Sequence, residues 1–231
     1  MSEYRVASYN IHRCVGTDDL YRPGRIRQVL RGLNVDIIAL QEVESGAQHG
    51  ELLDFFIEDS DWQYIEGPTL RRETGQYGNA ILTSLPVTRY QLLDLSYRQR
   101  EPRGAIDLYL RDQHHNLRVI ATHLGLSIKE RGFQSNRLLD LLDKPLEKNI
   151  DITLLMGDMN EWFPWSKPLR DFKRWFKHSH YVASYPTRRP LFALDRIWIK
   201  PDQCLVTASR YQSDISCIAS DHYPVITALT I

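Results

Sequence analysis

With 231 residues, 42% of them hydrophobic, the chain has material for one sizeable core, and two independent domains would be cramped within it. Its 29 basic and 29 acidic residues cancel to a formal net charge of zero, which excludes capture of nucleic acid or anionic membrane through overall charge and makes any anion binding local. A single domain over residues 1–231 is therefore expected.

The first strand is expected at 4–10, and Pro23 then opens a helix in which Ile26, Val29, Leu30 and Leu33 fall at helical spacing. The apolar run 36–41 fits a buried strand, and a helix follows around Leu52, Leu53, Phe55 and Phe56. Further strands are expected at 62–66, 79–83 and 87–95. Between Gly104 and Arg111, Ile106, Leu108 and Leu110 alternate with Asp107, Tyr109 and Arg111, the pattern of a half-buried strand. A strand at 117–122, a loop at 126–133 and a helix at 134–142 come next. After a strand at 152–156, Ser166 and Pro168 begin a helix presenting Leu169, Phe172 and Phe176. Strands at 195–199, 205–209 and 225–229 complete the chain. Strands outnumber helices by about two to one and several are adjacent in sequence, so a layered mixed α/β sandwich fits better than a doubly wound parallel sheet.

No Gly/Ser-rich linker, low-complexity segment or short-period repeat interrupts this order. Cys14, Cys204 and Cys217 are scattered, odd in number and without paired metal-ligand spacing, which points to a reducing compartment. The opening Met1-Ser2-Glu3-Tyr4-Arg5 resembles no signal peptide and no apolar run reaches membrane-spanning length, so a soluble cytoplasmic monomer is expected.

The chemically capable residues stand at strand ends or in the turns beyond them, where side chains of several strands can share one rim. Asn10 ends the first strand and Glu42 the second, His123 follows the strand at 117–122, Asp158 and Asn160 follow that at 152–156, and Asp221 and His222 precede the last. Singly, each has an ordinary structural explanation, as a turn amide, a solvated carboxylate or a hydrogen-bonded core histidine. As an ordered set they carry more. Tyr9-Asn10-Ile11, Leu40-Gln41-Glu42-Val43, Thr122-His123-Leu124, Gly157-Asp158-Met159-Asn160, Leu194-Asp195-Arg196-Ile197 and Ser220-Asp221-His222 together resemble the signature of the endonuclease/exonuclease/phosphatase superfamily. That superfamily includes deoxyribonucleases, abasic-site endonucleases, tyrosyl-DNA phosphodiesterases, inositol polyphosphate phosphatases and bacterial sphingomyelinases. The resemblance runs from Tyr9 to Pro224.

What the resemblance implies is a four-layer α/β sandwich, two packed mixed β-sheets flanked by helices, with the site at one end. Hard carboxylate and amide oxygens suit Mg2+, with Mn2+ as a substitute. Glu42 is the first metal-ligand candidate, helped by Asp221 and Asn10 directly or through water. The lack of clustered cysteines or of a tight His-x-x-x-His pair argues against zinc. By resemblance, Asp195 orients and charges His222, which acts as general base or as a phosphate-polarising donor according to its protonation state. Asp158 would position the water, Asn160 would support transition-state charge, and His123 would donate to a phosphate or leaving-group oxygen. In the deoxyribonuclease branch that histidine has a glutamate partner; here Arg72-Glu73-Thr74-Gly75-Gln76-Tyr77-Gly78-Asn79 offers only Glu73.

Arg103 and Asn79 are the expected substrate contacts, Arg103 as phosphate clamp. Arg71-Arg72, Arg98, Arg100 and Arg188-Arg189 add local cations, and Trp162, Phe163 and Trp165 offer aromatic surface for bases or lipid; the region around Arg188-Arg189 resembles that of tyrosyl-DNA phosphodiesterases. The expected activity is metal-dependent hydrolysis of a phosphodiester by in-line attack of an activated water, on nucleic acid or on a phospholipid or small-molecule headgroup. The alternative is a catalytically inactive phosphate- or nucleic-acid-binding module.

Overall fold

The computed structural model describes residues 2–46, 51–73, 75–144, 150–177 and 180–231. The chain runs β1 (Glu3–Asn10), a 3-10 turn (His12–Cys14), α1 (Pro23–Leu33), β2 (Ile37–Ser45), α2 (Glu51–Ile57), β3 (Gln63–Arg72), β4 (Gly75–Thr83), β5 (Val87–Asp94) and β6 (Gly104–Arg111). It continues through β7 (Asn116–His123), α3 (Ile128–Leu142), β8 (Ile152–Asp158), α4 (Lys167–Trp175), β9 (Asp195–Lys200), β10 (Leu205–Arg210), α5 (Ser216–Ala219) and β11 (Val225–Thr230). One sheet has the order β10-β11-β1-β2-β4-β3 and the other β5-β6-β7-β8-β9. Each contains one parallel pair, β1–β2 and β7–β8, and is otherwise antiparallel.

Side-chain alternation along the strands builds the layers. Ile37 and Ala39 of β2 face the second sheet, meeting Ile106 and Leu108 of β6, Val119 of β7 and Leu154 of β8 in a core between the sheets. Ile38 and Leu40 face the other way, against Ile26, Val29 and Leu30 of α1 and Phe56 of α2. On the far side, Ile120, Leu155 and Trp198 meet Leu138 and Leu141 of α3 and Phe172 of α4. The result is a four-layer α/β sandwich, the architecture that the family resemblance implied and with which the strand-rich element order is compatible.

Three expectations need correction. The strand at Gly104–Arg111 is buried on both faces: Asp107 and Tyr109 are as inaccessible as their apolar neighbours. The second face is covered because Asp107 accepts from Arg118 Nε at 2.7 Å and Nη2 at 2.9 Å, and Arg118 in turn donates to the Leu141 carbonyl of α3. The stretch 126–133 is mostly helix, since α3 starts at Ile128 with Ser127 as N-cap and Glu130 closing a capping box. The β3–β4 hairpin is longer than expected: Gly67, Pro68 and Gly78 interrupt the apolar alternation, and the pairing resumes at Leu70 and Tyr77 after a register shift past Pro68.

Candidate active site

Strand direction brings the singled-out residues to one end of the sandwich. In the first sheet, parallel pairing sets Asn10 of β1 beside Gln41 of β2. The register between β2 and β4 then slips between Leu40 and Val43, where Glu42 has a φ of 56°. This bulge turns Glu42 out of the ladder. The turn before β11 is tied in by Ser220 Oγ, which donates to the Asn10 carbonyl at 2.8 Å and so holds Asp221 and His222 beside β1. In the second sheet, His123 pairs with Asp158 and Asp158 with Asp195, so the three stand side by side on β7, β8 and β9. Gly157 permits this register: its φ is 146°, and a Cβ there would lie 1.8 Å from the Thr122 carbonyl oxygen.

Asp158 links the two halves. Its Oδ1 accepts from the Asn160 backbone at 2.8 Å and its Oδ2 from Asn10 Nδ2 at 3.0 Å. The same Oδ2 lies 3.6 Å from His123 Nε2 and 3.8 Å from His222 Nε2. Asn10 Nδ2 also donates to Glu42 Oε1 at 3.1 Å, while Asn10 Oδ1 accepts from the His12 backbone N–H at 3.0 Å. The carboxylates need a donor and His12 needs an acceptor, so the orientation of this amide is fixed from both sides.

The two histidines are held in opposite states. Burial disfavours a charge on His222, but Asp195, with its Oδ2 at 2.8 Å from Nδ1, and then Asp158 and Asp221, outweigh burial and push the imidazole up to about 10. Ser184 Oγ donates to the same Asp195 oxygen at 2.5 Å and secures the carboxylate. Burial, the Arg103 guanidinium and His222 instead push His123 down to about 3, Asp158 opposing them.

Asn10, Glu42, Arg103, His123, Asp158, Asn160, Asp221 and His222 line one open cavity of about 870 Å³. Asp195 stands behind His222, outside the lining. Asn79 is also elsewhere: buried between the sheets, it donates to the Gly104 carbonyl at 3.1 Å and borders a separate small recess. Of the noted cations only Arg72 and Arg103 reach the cavity, joined by Arg13; Arg188 donates to the Thr17 carbonyl. Trp162 lines the wall with Tyr185, their rings meeting edge to face at 5.7 Å, whereas Phe163 and Trp165 pair with each other away from it. Glu73, exposed in the β3–β4 turn, does not reach His123; the partner of that ring is Arg103, with Nη1 at 2.9 Å from Nδ1.

Several supporting residues carried no sequence signal. Ser184 behind Asp195 is one, and the buried ion pair Arg131–Glu161 is another, with Nε to Oε2 at 2.9 Å fastening the segment after Asn160 to α3. As to a cation, ligand atoms of Asp158, Asp195 and His222 lie within 4.8 Å of one another, but Asp195 and His222 already satisfy each other. The open oxygens are those of Glu42 and Asp221. Glu42 accepts only the Asn10 amide and pairs with no basic side chain among the described residues. Asp221 Oδ1 stands 3.9 Å from His12 Nδ1, beyond hydrogen-bond reach, and two carboxylates so weakly paired on one cavity fit a hard divalent ion.

Among known proteins, residues 7–222 match the Endonuclease/Exonuclease/phosphatase family. The YbhP protein of Escherichia coli (strain K12) is 27% identical over 221 residues, covering 85% of each chain. The solved endonuclease/exonuclease/phosphatase of Beutenbergia cavernae DSM 12333 shares the fold at a TM-score of 0.80 and 20% identity, over 100% of this chain and 72% of that one. The mannosyl-6-phosphatase Bt3783 of Bacteroides thetaiotaomicron VPI-5482 does so at 0.75 and 17%, over 99% and 100%. No helix among the described residues is long and apolar enough to cross a membrane.

Proposed function

Because the chain belongs to the Endonuclease/Exonuclease/phosphatase family, we propose that it is a divalent-metal-dependent phosphoric ester hydrolase that opens a phosphodiester by in-line attack of water. The observation that carries this reading is the Asp195–His222 pair at 2.8 Å with Asp158 Oδ2 3.8 Å from the other ring nitrogen, beside the open carboxylates of Glu42 and Asp221. A cationic donor and an anionic acceptor of protons thus flank one reacting position.

His222, kept protonated by Asp195, would donate from Nε2 to a non-bridging phosphate oxygen. Asp158 would orient the attacking water and take its proton as the water oxygen bonds to phosphorus and the opposite P–O bond breaks, the departing oxygen being protonated from solvent. Asn160 and His123 would donate to the charge that develops. Glu42, with Asp221 and with Asn10 as orienting amide, would hold Mg2+ or Mn2+, which supplies Lewis-acid charge to the phosphoryl oxygens. The breadth of the cavity and its Trp162–Tyr185 wall support an ester larger than a bare phosphate, from nucleic acid or from a phospholipid or small-molecule headgroup.

The test is hydrolysis of bis-p-nitrophenyl phosphate and p-nitrophenyl phosphate with Mg2+, Mn2+ or chelator, by wild type and Glu42→Ala in parallel. Metal-dependent turnover of the diester that Glu42→Ala abolishes is the expected result. Absence of turnover by folded protein with either metal, or turnover indifferent to Glu42→Ala, overturns the proposal.

A further inference from the structure

The two histidines facing Asp158 are backed by opposite groups. Behind His222 stands a carboxylate and behind His123 a guanidinium, with Arg103 Nη1 2.9 Å from His123 Nδ1. A guanidinium has hydrogens to give and no lone pair to offer. The ring nitrogen it meets must be the one bearing a lone pair, which leaves a neutral ring only Nε2 for its proton. That nitrogen points into the site, 3.6 Å from Asp158 Oδ2.

We propose that Arg103 is a positioning residue that locks His123 into the neutral tautomer protonated on Nε2, presenting one fixed N–H donor to the reacting ester. Its part in turnover rests on the phosphoester reading above, while the tautomer does not. As a phosphate clamp the guanidinium would turn its Nη atoms into the cavity it borders, whereas these already face His123 Nδ1 and Glu101. Arg103 is 7% exposed, its Nη2 pairs with Glu101 Oε1 at 3.0 Å, and its Nε is buried.

The segment that carries Arg103 is fixed from three directions. The Gly104 carbonyl accepts from Asn79 Nδ2 and from Thr122 Oγ1, each at 3.1 Å, and the Arg103 carbonyl accepts from the Leu95 backbone at 2.8 Å. Asn79, which touches no part of the cavity, thereby acts on the site through Arg103. One contact competes: Asn160 Nδ2 lies 3.0 Å from His123 Nε2 while donating to the Leu124 carbonyl at 2.8 Å. The charged donor prevails, because a guanidinium facing an N–H costs more than an amide doing so.

The experiment is two-bond 1H–15N correlation NMR of chelator-treated protein carrying ring-labelled histidine, at neutral pH, with His123→Gln to assign the signal. The expected pattern is a protonated Nε2 and a bare Nδ1 in wild type, kept in Arg103→Lys and lost in Arg103→Glu, whose carboxylate accepts from a protonated Nδ1 as Asp195 does from His222. Arg103→Met, which removes the donor without adding charge, should release the ring to a mixture of tautomers. Turnover should fall in Arg103→Glu by about 10–100-fold in kcat with little change in KM. A wild-type ring protonated on Nδ1 or on both nitrogens overturns the proposal, as does an unchanged Nε2 tautomer in folded Arg103→Glu or Arg103→Met. None of these NMR readings requires turnover, so failure of the hydrolase reading leaves them independent.

Discussion

Asn10 and Asp158, 148 residues apart and on different sheets, are joined at 3.0 Å by a single amide-to-carboxylate hydrogen bond. The same amide nitrogen holds Glu42 at 3.1 Å, so one side chain sets two carboxylates with different proposed tasks. Asn10→Asp replaces the shared donor by a third negative charge. Expected is a loss of about 10–100-fold in kcat together with an altered Mg2+ requirement, read from metal titrations of diester hydrolysis. An Asn10→Asp variant with unchanged metal titration would sink the assigned role.

Removing the cation of the site should cost more. His222→Ala is expected to lower kcat/KM by about 10²–10⁴-fold. It also leaves the buried Asp195 with Ser184 as its remaining side-chain partner, so Asp195→Asn is the gentler companion. Activity and urea midpoint should be compared in the same preparations. Turnover that falls only in step with folded protein would assign His222 a structural role instead.

With metal removed, the histidines predict opposite pH slopes of stability. His222 has a folded-state pKa raised from 6.5 to about 10, so its stabilisation is complete below about pH 6.5 and is lost as pH rises toward 10. His123, pushed down to about 3, is neutral in the fold while the unfolded chain takes up a proton below about pH 6.5, so its contribution is lost as pH falls toward 3. Thermal melts in chelator should show the alkaline decline flattened in His222→Asn and the acid decline flattened in His123→Asn. Parallel profiles for all three proteins would contradict both charge states.

The Arg131–Glu161 pair offers a stability test away from the chemistry. Glu161→Ala leaves a guanidinium that is 2% exposed with, among the described residues, only the Gly125 and Leu126 carbonyls to receive it, at a cost of about 3–5 kcal/mol. Replacing both partners by apolar residues, Arg131→Met with Glu161→Leu, should recover most of that loss in urea titrations. A single variant as stable as wild type would show that the pair is dispensable.

Much of this architecture was legible in the chain. The apolar runs of β2 and β8 and the helical spacing in α1 are local signals of burial, and the residues at the strand ends fall in short motifs whose order is read directly from the chain. What escaped depended on contacts distant in sequence. Asp107 reads as a solvated position until Arg118 and α3 cover it. Ser127 and Glu130 form a recognisable capping box, but Gly132 and the exposed Ile128 and Phe133 blur the apolar period of the first turns of α3. As a partner for His123 the sequence offers Glu73 on the β3–β4 hairpin, whereas the link between β5 and β6 delivers Arg103. Sign as well as identity was hidden there: a carboxylate and a guanidinium at the same ring nitrogen dictate opposite proton positions.

The hydrogen bond from β1 to β8 also makes the site a gauge of assembly. Glu42, Asp221 and His222 belong to one sheet and its flanks, and His123, Asp158 and Asp195 to the other. An acid-expanded state can keep each sheet's ladder while the core between them loosens. Neither sheet alone contains a working half of the constellation, so catalysis should vanish when the sheets part by little more than the length of one hydrogen bond, before circular dichroism registers any loss of strand. In such a protein, turnover measures the seam.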